Sequence, residues 1–240
     1  MKEYITGFQY ALQGFTLCSK PHIRLFVLVP LAINTLIFAL VIVYGAQQLN
    51  EFIQSFLTDW WEWLAWILWP VFALLSLTIV FFCFSIVANL IAAPFNGFLA
   101  EAVERHVTGI KTAEDSGLIQ LPVELKKAVI SESRKFLYFF LRAIPLFILF
   151  FIPVINFIAP VIWFLFGAWM LALEYMDFPM GNHGMIFPEI RKSMKNRRPL
   201  ALGFGTGVML LTLIPFLNFM AIPVAVCGAT KMWVEKVRPD

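Results

Sequence analysis

Long uncharged runs separated by short polar stretches set the architecture of this chain. No residue between Glu62 and Glu101 is charged, and most of 63–93 is Leu, Ile, Val, Phe, Ala or Trp. A helix rises about 1.5 Å per residue and a bilayer core is about 30 Å thick, so this run exceeds one crossing. A soluble core helix of that length would carry a polar stripe, and this one does not. The pattern predicts a transmembrane helix over 64–93 that projects past the bilayer, with Pro94 and Gly97 marking its end. The uncharged run 25–50 predicts a second span over 25–49, with Pro30 in its first turns. Residues 50–63 join the two and carry Glu51, Asp59 and Glu62 but no Lys or Arg. Trp60, Trp61, Trp63, Trp66 and Trp69 mark an aromatic belt there.

Residues 4–18 have helical periodicity, with Ile5, Phe8, Leu12 and Phe15 on one face, and are too polar to span. Two readings stand: an amphipathic helix in the membrane interface, or a packed N-terminal helix. After the second span, 94–142 is polar and helical in pattern, with seven basic and six acidic residues and a loop near 111–122. It extends the helices into the cytoplasm.

Two later stretches resemble each other. One is Ile152-Pro153-Val154-Ile155-Asn156-Phe157, with Pro160-Val161 following; the other is Ile214-Pro215-Phe216-Leu217-Asn218-Phe219, with Pro223-Val224 following. This is an internal repeat with one inserted residue. Prolines and an Asn cut each apolar run into arms of about 10 to 15 residues, roughly 15 to 22 Å of helix, too short to cross twice. Re-entrant hairpins over 143–175 and 200–233 follow, each turning back at a Pro-Asn tip that needs cover from protein or water. The alternative is two full crossings per stretch by very short helices. Basic residues cluster at Arg191, Lys192, Lys195, Arg197 and Arg198, and at Lys231, Lys236 and Arg238. With either reading these join the N-terminus and the 94–142 segment on the cytoplasmic side, opposite the acidic loop. The fold expected is an all-α integral membrane protein in one domain: two long spans, two half-spanning hairpins, an N-terminal amphipathic helix and a cytoplasmic helical extension.

Composition agrees. Of 240 residues, 60% are hydrophobic and 14% charged, against about a quarter charged in soluble domains. The net charge of +3 is small and dispersed, which disfavours nucleic acid as a partner. Cys18, Cys83 and Cys227 stand alone in apolar sequence and read as small buried residues, not disulfides. No cleaved leader is expected, because residues 1–20 lack a small-residue cleavage site after a basic region.

Catalytic chemistry finds little purchase. There is no Walker A pattern, no H-E-x-x-H and no Cys-rich box, so no cofactor, metal or catalytic residue is assigned. Glu174, Asp177 and His183 are near in sequence, but a helix end and a Gly-containing loop explain them without a metal. The uncharged runs contain no ionisable residue of the kind that relays protons in a membrane. Neutral polar groups remain: Asn34, Thr35, Asn89, Asn156 and Asn218. Each reads either as lining a hydrated path or as an interhelical hydrogen bond or turn cap. The sharpest candidate is His22-Ile23-Arg24-Leu25, where a chain break enters a long helix. Free amides, the positive helix end and the Arg24 fork would suit a tetrahedral oxyanion, and a positive-inside anchor reads equally well. Ser116-Gly117-Leu118, before Pro122, is a weaker version.

Four stretches carry a likeness to a known family: Pro21-x-Ile23-Arg24-x-Phe26-Val27; Ile91-Ala92-Ala93-Pro94-Phe95-Asn96-Gly97; Trp163-Phe164-Leu165-Phe166-x-Ala168-Trp169-Met170-Leu171-Ala172; and Pro223-Val224-Ala225-Val226-Cys227-Gly228-Ala229-Thr230. On these the chain resembles the CysZ family of bacterial sulfate permeases, over nearly its whole length. The resemblance implies an oligomeric helical protein of the bacterial inner membrane that moves sulfate, with sulfite and other oxyanions as possible substrates, into the cell for cysteine synthesis. It also implies sulfate binding around Arg24. Members often carry Gly-Ile/Leu-Arg there, sometimes with a second Arg; this chain has His22 and Leu25 in those places, one charge and one flexible backbone position fewer. The expectation is sulfate transport by a homo-oligomer in the lipid bilayer, not an enzyme. A membrane scaffold or regulator acting through 101–142 is the alternative.

Overall fold

Pro21 has no N–H to lose and its ring presets a helical φ, so it starts a helix as readily as it breaks one. In the computed structural model it opens α2 (Pro21–Phe56), directly after α1 (Lys2–Cys18) and a two-residue turn. There follow α3 (Glu62–Thr108), α4 (Leu121–Ile148), α5 (Ala159–Asn182), α6 (Phe187–Asn196), α7 (Arg198–Leu213) and α8 (Pro215–Met232). The structure describes residues 1–56, 62–109 and 121–238, and within α2, α3, α4 and α8 some side chains are outside the description. Among the described residues there is no strand. Trp60, Trp61 and the turn Ser116-Gly117-Leu118 lie outside them.

The chain divides into two units, residues 25–95 and residues 1–24 with 96–240. The first is α2 after its first four residues and most of α3. Many of its described side chains are apolar and exposed: Leu36, Leu40, Leu74 and Leu77 are each more than 60% accessible. Apolar side chains left unburied by protein are matched to lipid. The α2 stretch Pro21–Gln48 is long and apolar enough to cross a membrane.

The larger unit is a helical bundle. Helix α1 lies on α7 and α8, α5 packs against both of these, and α4 and α6 lie on α5. Phe204, Val208, Ala168, Ala172, Met176, Ala225 and Ala229 form its centre. Small residues let these backbones touch, the usual means of helix association in membranes. At Gly14 an added Cβ would strike the carbonyl of Val224, and at Gly228 the carbonyl of Tyr10.

Three details differ from the expectation. Helix α3 runs on through Pro94 and Gly97 to Thr108, and does not stop there. Beyond them Leu99, Ala100 and Val103 bury in the bundle, and packing outweighs the local breakers. The buried face of α1 is Gly7, Tyr10, Ala11, Gly14, Leu17 and Cys18, while Ile5 and Leu12 are exposed. Close backbone approach selects the face with the glycines, while Phe8 and Phe15 of the apolar stripe are half-buried and Ile5 and Leu12 point outward. Finally, α5 has 24 residues, longer than the arm expected, and among the described residues it too qualifies by length and hydropathy as able to cross a membrane. Its apolar part ends at Leu173, about 22 Å from its start; the remaining turns carry Glu174 and Asp177, which are held by partners on α4.

The repeat is visible in the backbone. Helices break at Ile152 (ψ 117°) and at Ile214 (ψ 113°), both extended, each just before a proline. The first break is longer, with Val154 at φ 71° and a 3-10 turn over Ile155–Phe157. The second leads straight into α8. Four residues past each break an Asn amide closes the new turn: Asn156 donates to Ile152 O at 3.0 Å, and Asn218 to Ile214 O at 2.9 Å.

Candidate functional site

The α1–α2 junction is short. Ser19 ends α1, its amide donating to Phe15 O at 3.2 Å, and the Lys20 amide donates to Leu17 O at 3.0 Å. The Lys20 carbonyl then accepts from both Ile23 N (3.0 Å) and Arg24 N (2.9 Å). Two amides that the sequence offers to an anion are therefore engaged in the first turn of α2, and Pro21 has none. Ile23 is buried at 1% exposure and anchors the turn, whereas His22 and Arg24 are exposed. Among the described residues Arg24 has no ion-pair partner. The first turn of α2 thus carries an exposed guanidinium and an exposed imidazole. Leu25, 57% exposed, begins the membrane-matched stretch.

The asparagines sort differently. Asn156 and Asn218 sit at corresponding points of the two repeats, both exposed, with their amides engaged as above. Asn34 is in α2 and Asn89 in α3, and their side chains lie outside the described residues. Thr35 is exposed on α2.

Two buried charge clusters were not foreseen. Lys135, on α4 with a side chain 7% exposed, places its ammonium 2.9 Å from Glu132, 2.9 Å from Glu174 and 3.0 Å from Asp177. Three N–H donors meet three carboxylates. Burial alone would push this ammonium down, but the charges of Asp177 and Glu174 outweigh it and hold Lys135 above the ordinary lysine range. In the second cluster Glu104, on α3 and 2% exposed, lies 2.9 and 3.1 Å from His183 Nε2 and accepts a 2.8 Å bond from Arg238 Nη1. The Trp233 ring lies tilted against the His183 ring, with centroids 4.5 Å apart, and its centroid is 5.3 Å from the Arg238 guanidinium. The trio Glu174, Asp177 and His183 therefore serves two separate ion networks. Among the described residues no group of three or more His, Cys, Asp or Glu could hold a metal.

Sequence spacing carried part of this signal. Glu132 and Lys135 are three apart on one helix face, as are Glu174 and Asp177. Their meeting, and that of Glu104 with Arg238 across 134 residues, needed the packing of α3, α4, α5 and the C-terminal turn.

Comparison with known proteins follows the same outline. The family described as "Sulfate transporter CysZ/Etoposide-induced protein 2.4" matches residues 10–223. A protein named "Sulfate transporter CysZ" from Pseudomonas paraeruginosa is 42% identical over 235 residues, covering 97% of this chain and 96% of its own. Another of that name from Pectobacterium atrosepticum is 42% identical over 238 residues, covering 97% of this chain and 86% of its own. With its uncharged helices and this match over most of its length, the chain belongs to the sulfate transporter CysZ/Etoposide-induced protein 2.4 family.

Proposed function

We propose that this protein transports sulfate across the bacterial inner membrane and is not an enzyme. The observation that carries the reading is the 42% identity, over 97% of the chain, to proteins named for sulfate transport. Arg24, exposed at the head of α2 and without an ion-pair partner among the described residues, supports it. In this reading Arg24 and His22 recruit the oxyanion at the membrane surface, with Ile23 and Leu25 positioning them. A guanidinium offers paired donors to a tetrahedral oxyanion, and its charge persists at every working pH.

The path onward runs beside the two Pro-Asn breaks. The hairpins α4–α5 and α7–α8 dip into the bilayer and return, with Asn156 and Asn218 at hydrated tips and Asn34 and Asn89 on the long spans. This is supported by the helix breaks at Ile152 and Ile214 and by the 22 Å reach of the apolar part of α5. The N-terminus, the 94–142 segment and the C-terminus share the cytoplasmic side, and the outward Ile5 and Leu12 of α1 rest on the interface. Half-spanning hairpins seal poorly alone, so the working unit is a homo-oligomer.

The test is radiolabelled sulfate uptake by liposomes containing the purified protein. Uptake above empty liposomes supports the reading. Background uptake, with stable capture of another protein through 101–142, replaces it with the scaffold alternative.

A further inference from the structure

Cys18, the last residue of α1, and Cys227, inside α8, are 209 positions apart in sequence, and their Sγ atoms stand 3.2 Å apart. Both are free thiols, 4% and 0% exposed. The helices carrying them are locked at backbone contact: Gly14 against the Val224 carbonyl and Gly228 against that of Tyr10. Packing of that closeness leaves little room for the sulfurs to part. The sulfurs of a disulfide are about 2.05 Å apart, so this pair stands about 1 Å beyond bonding distance.

We propose that Cys18 and Cys227 form a redox modification site whose oxidant is a hydroperoxide and whose product is an intrachain disulfide between α1 and α8. Cys18 reacts first, because it ends its helix beside the exposed Ser19 and Lys20, whereas Cys227 is sealed. Its sulfur attacks one peroxide oxygen. The O–O bond breaks, the far oxygen leaves with the Cys18 thiol proton as the alcohol (as water when the oxidant is hydrogen peroxide), and the sulfur, oxidised by two electrons, becomes a sulfenic acid. The Cys227 sulfur then attacks that of Cys18. The S–O bond breaks, the hydroxyl leaves as water with the Cys227 proton, and the S–S bond forms. Burial makes the first step slow, since the oxidant must reach the end of α1; the neighbouring sulfur makes the second fast and specific. In a reducing compartment the pair rests as two thiols. The bond adds a covalent tie between the N-terminal helix and the α7–α8 hairpin, so that the two can no longer separate. Its effect on flux rests on the transport reading; its formation does not.

The experiment treats reduced, purified protein with hydrogen peroxide and reads intact mass and a peptide map. The expected result is loss of two hydrogens and one linked peptide pair holding Cys18 and Cys227, absent in Cys18→Ser and in Cys227→Ser. In liposomes, oxidised wild type should carry sulfate several-fold more slowly than reduced protein and recover with dithiothreitol, while Cys18→Ser ignores peroxide. No linked pair, a link through Cys83, or a link between two chains overturns the site. A correct link with unchanged flux overturns its effect on transport. Absence of flux in reduced wild type counts against the transport reading, and the mass measurement still decides the site.

Discussion

The Lys135 ammonium donates to Asp177 Oδ2 at 3.0 Å, joining α4 to α5 across 42 residues. Glu132 and Glu174 complete its shell. Lys135 is the cation that lets three acids gather beside an apolar bundle. Removing it strands them, although Glu132 and Glu174 are each about half exposed and regain water. Lys135→Met should therefore lower stability by about 3 kcal/mol, the lower end for breaking a buried pair, and Asp177→Asn by about 1 kcal/mol. Thermal unfolding in detergent measures both. Equal small losses would show that the cluster behaves as a surface pair.

Glu104 holds the C-terminal turn through Arg238 and the end of α5 through His183. Glu104→Gln keeps the shape and removes the charge. Both partners are partly exposed, so the loss should be about 1 to 2 kcal/mol. It should be local: limited trypsin treatment should cut after Lys236 faster than in wild type, with the rest of the chain protected. Unchanged cleavage would mean that the Trp233 packing alone holds the turn.

Tyr10 donates to Glu235 Oε2 at 2.6 Å. Burial, then this bond and the Glu235 charge, push its phenol above the usual tyrosine range. A raised folded-state pKa means that the folded chain keeps its proton where the unfolded chain releases it. The contribution is full below about pH 10 and fades as pH rises toward the folded value. Tyr10→Phe should cost about 1 kcal/mol at pH 8 and progressively less above pH 10. A wild-type minus Phe difference that stays constant from pH 8 to 11 would contradict the linkage.

Arg24 is tested through sulfate. Arg24→Ala should cut low-salt sulfate uptake by about tenfold, the loss of one charge-assisted contact of about 1.5 kcal/mol, and leave thermal stability unchanged. Arg24→Lys should retain part of the uptake, because a point charge replaces the fork. Raising ionic strength should shrink the difference between wild type and Ala. Wild-type uptake in the Ala variant would place recruitment elsewhere.

The tips are tested as a pair. Asn156→Ala and Asn218→Ala each keep the backbone bond to the preceding Ile, which uses the amide N–H, and lose only the exposed side chain. Each should leave stability within about 0.5 kcal/mol of wild type and reduce uptake. Full uptake in both would remove the asparagines from the path.

Much of the architecture was legible in the sequence. Hydrophobic runs and the positions of Lys and Arg are properties of the chain read locally, and water-to-membrane transfer acts on them residue by residue, so the helical class, the α2 span, the repeat and its breaks at Ile152 and Ile214 could be read directly. The family could be read as well, from motifs spread along the chain. What the sequence alone did not determine is which faces meet. On α1 the apolar stripe of Ile5 and Leu12 was the visible signal, yet the small face of Gly7, Ala11 and Gly14 is buried, because backbone contact between helices favours absence of side chain over hydrophobicity. Lys135 with Asp177, Glu104 with Arg238, and Cys18 with Cys227 come together across 42, 134 and 209 residues. Such pairs depend on the rotation and register of packed helices, which no short window of sequence encodes, and only the tertiary structure decided them.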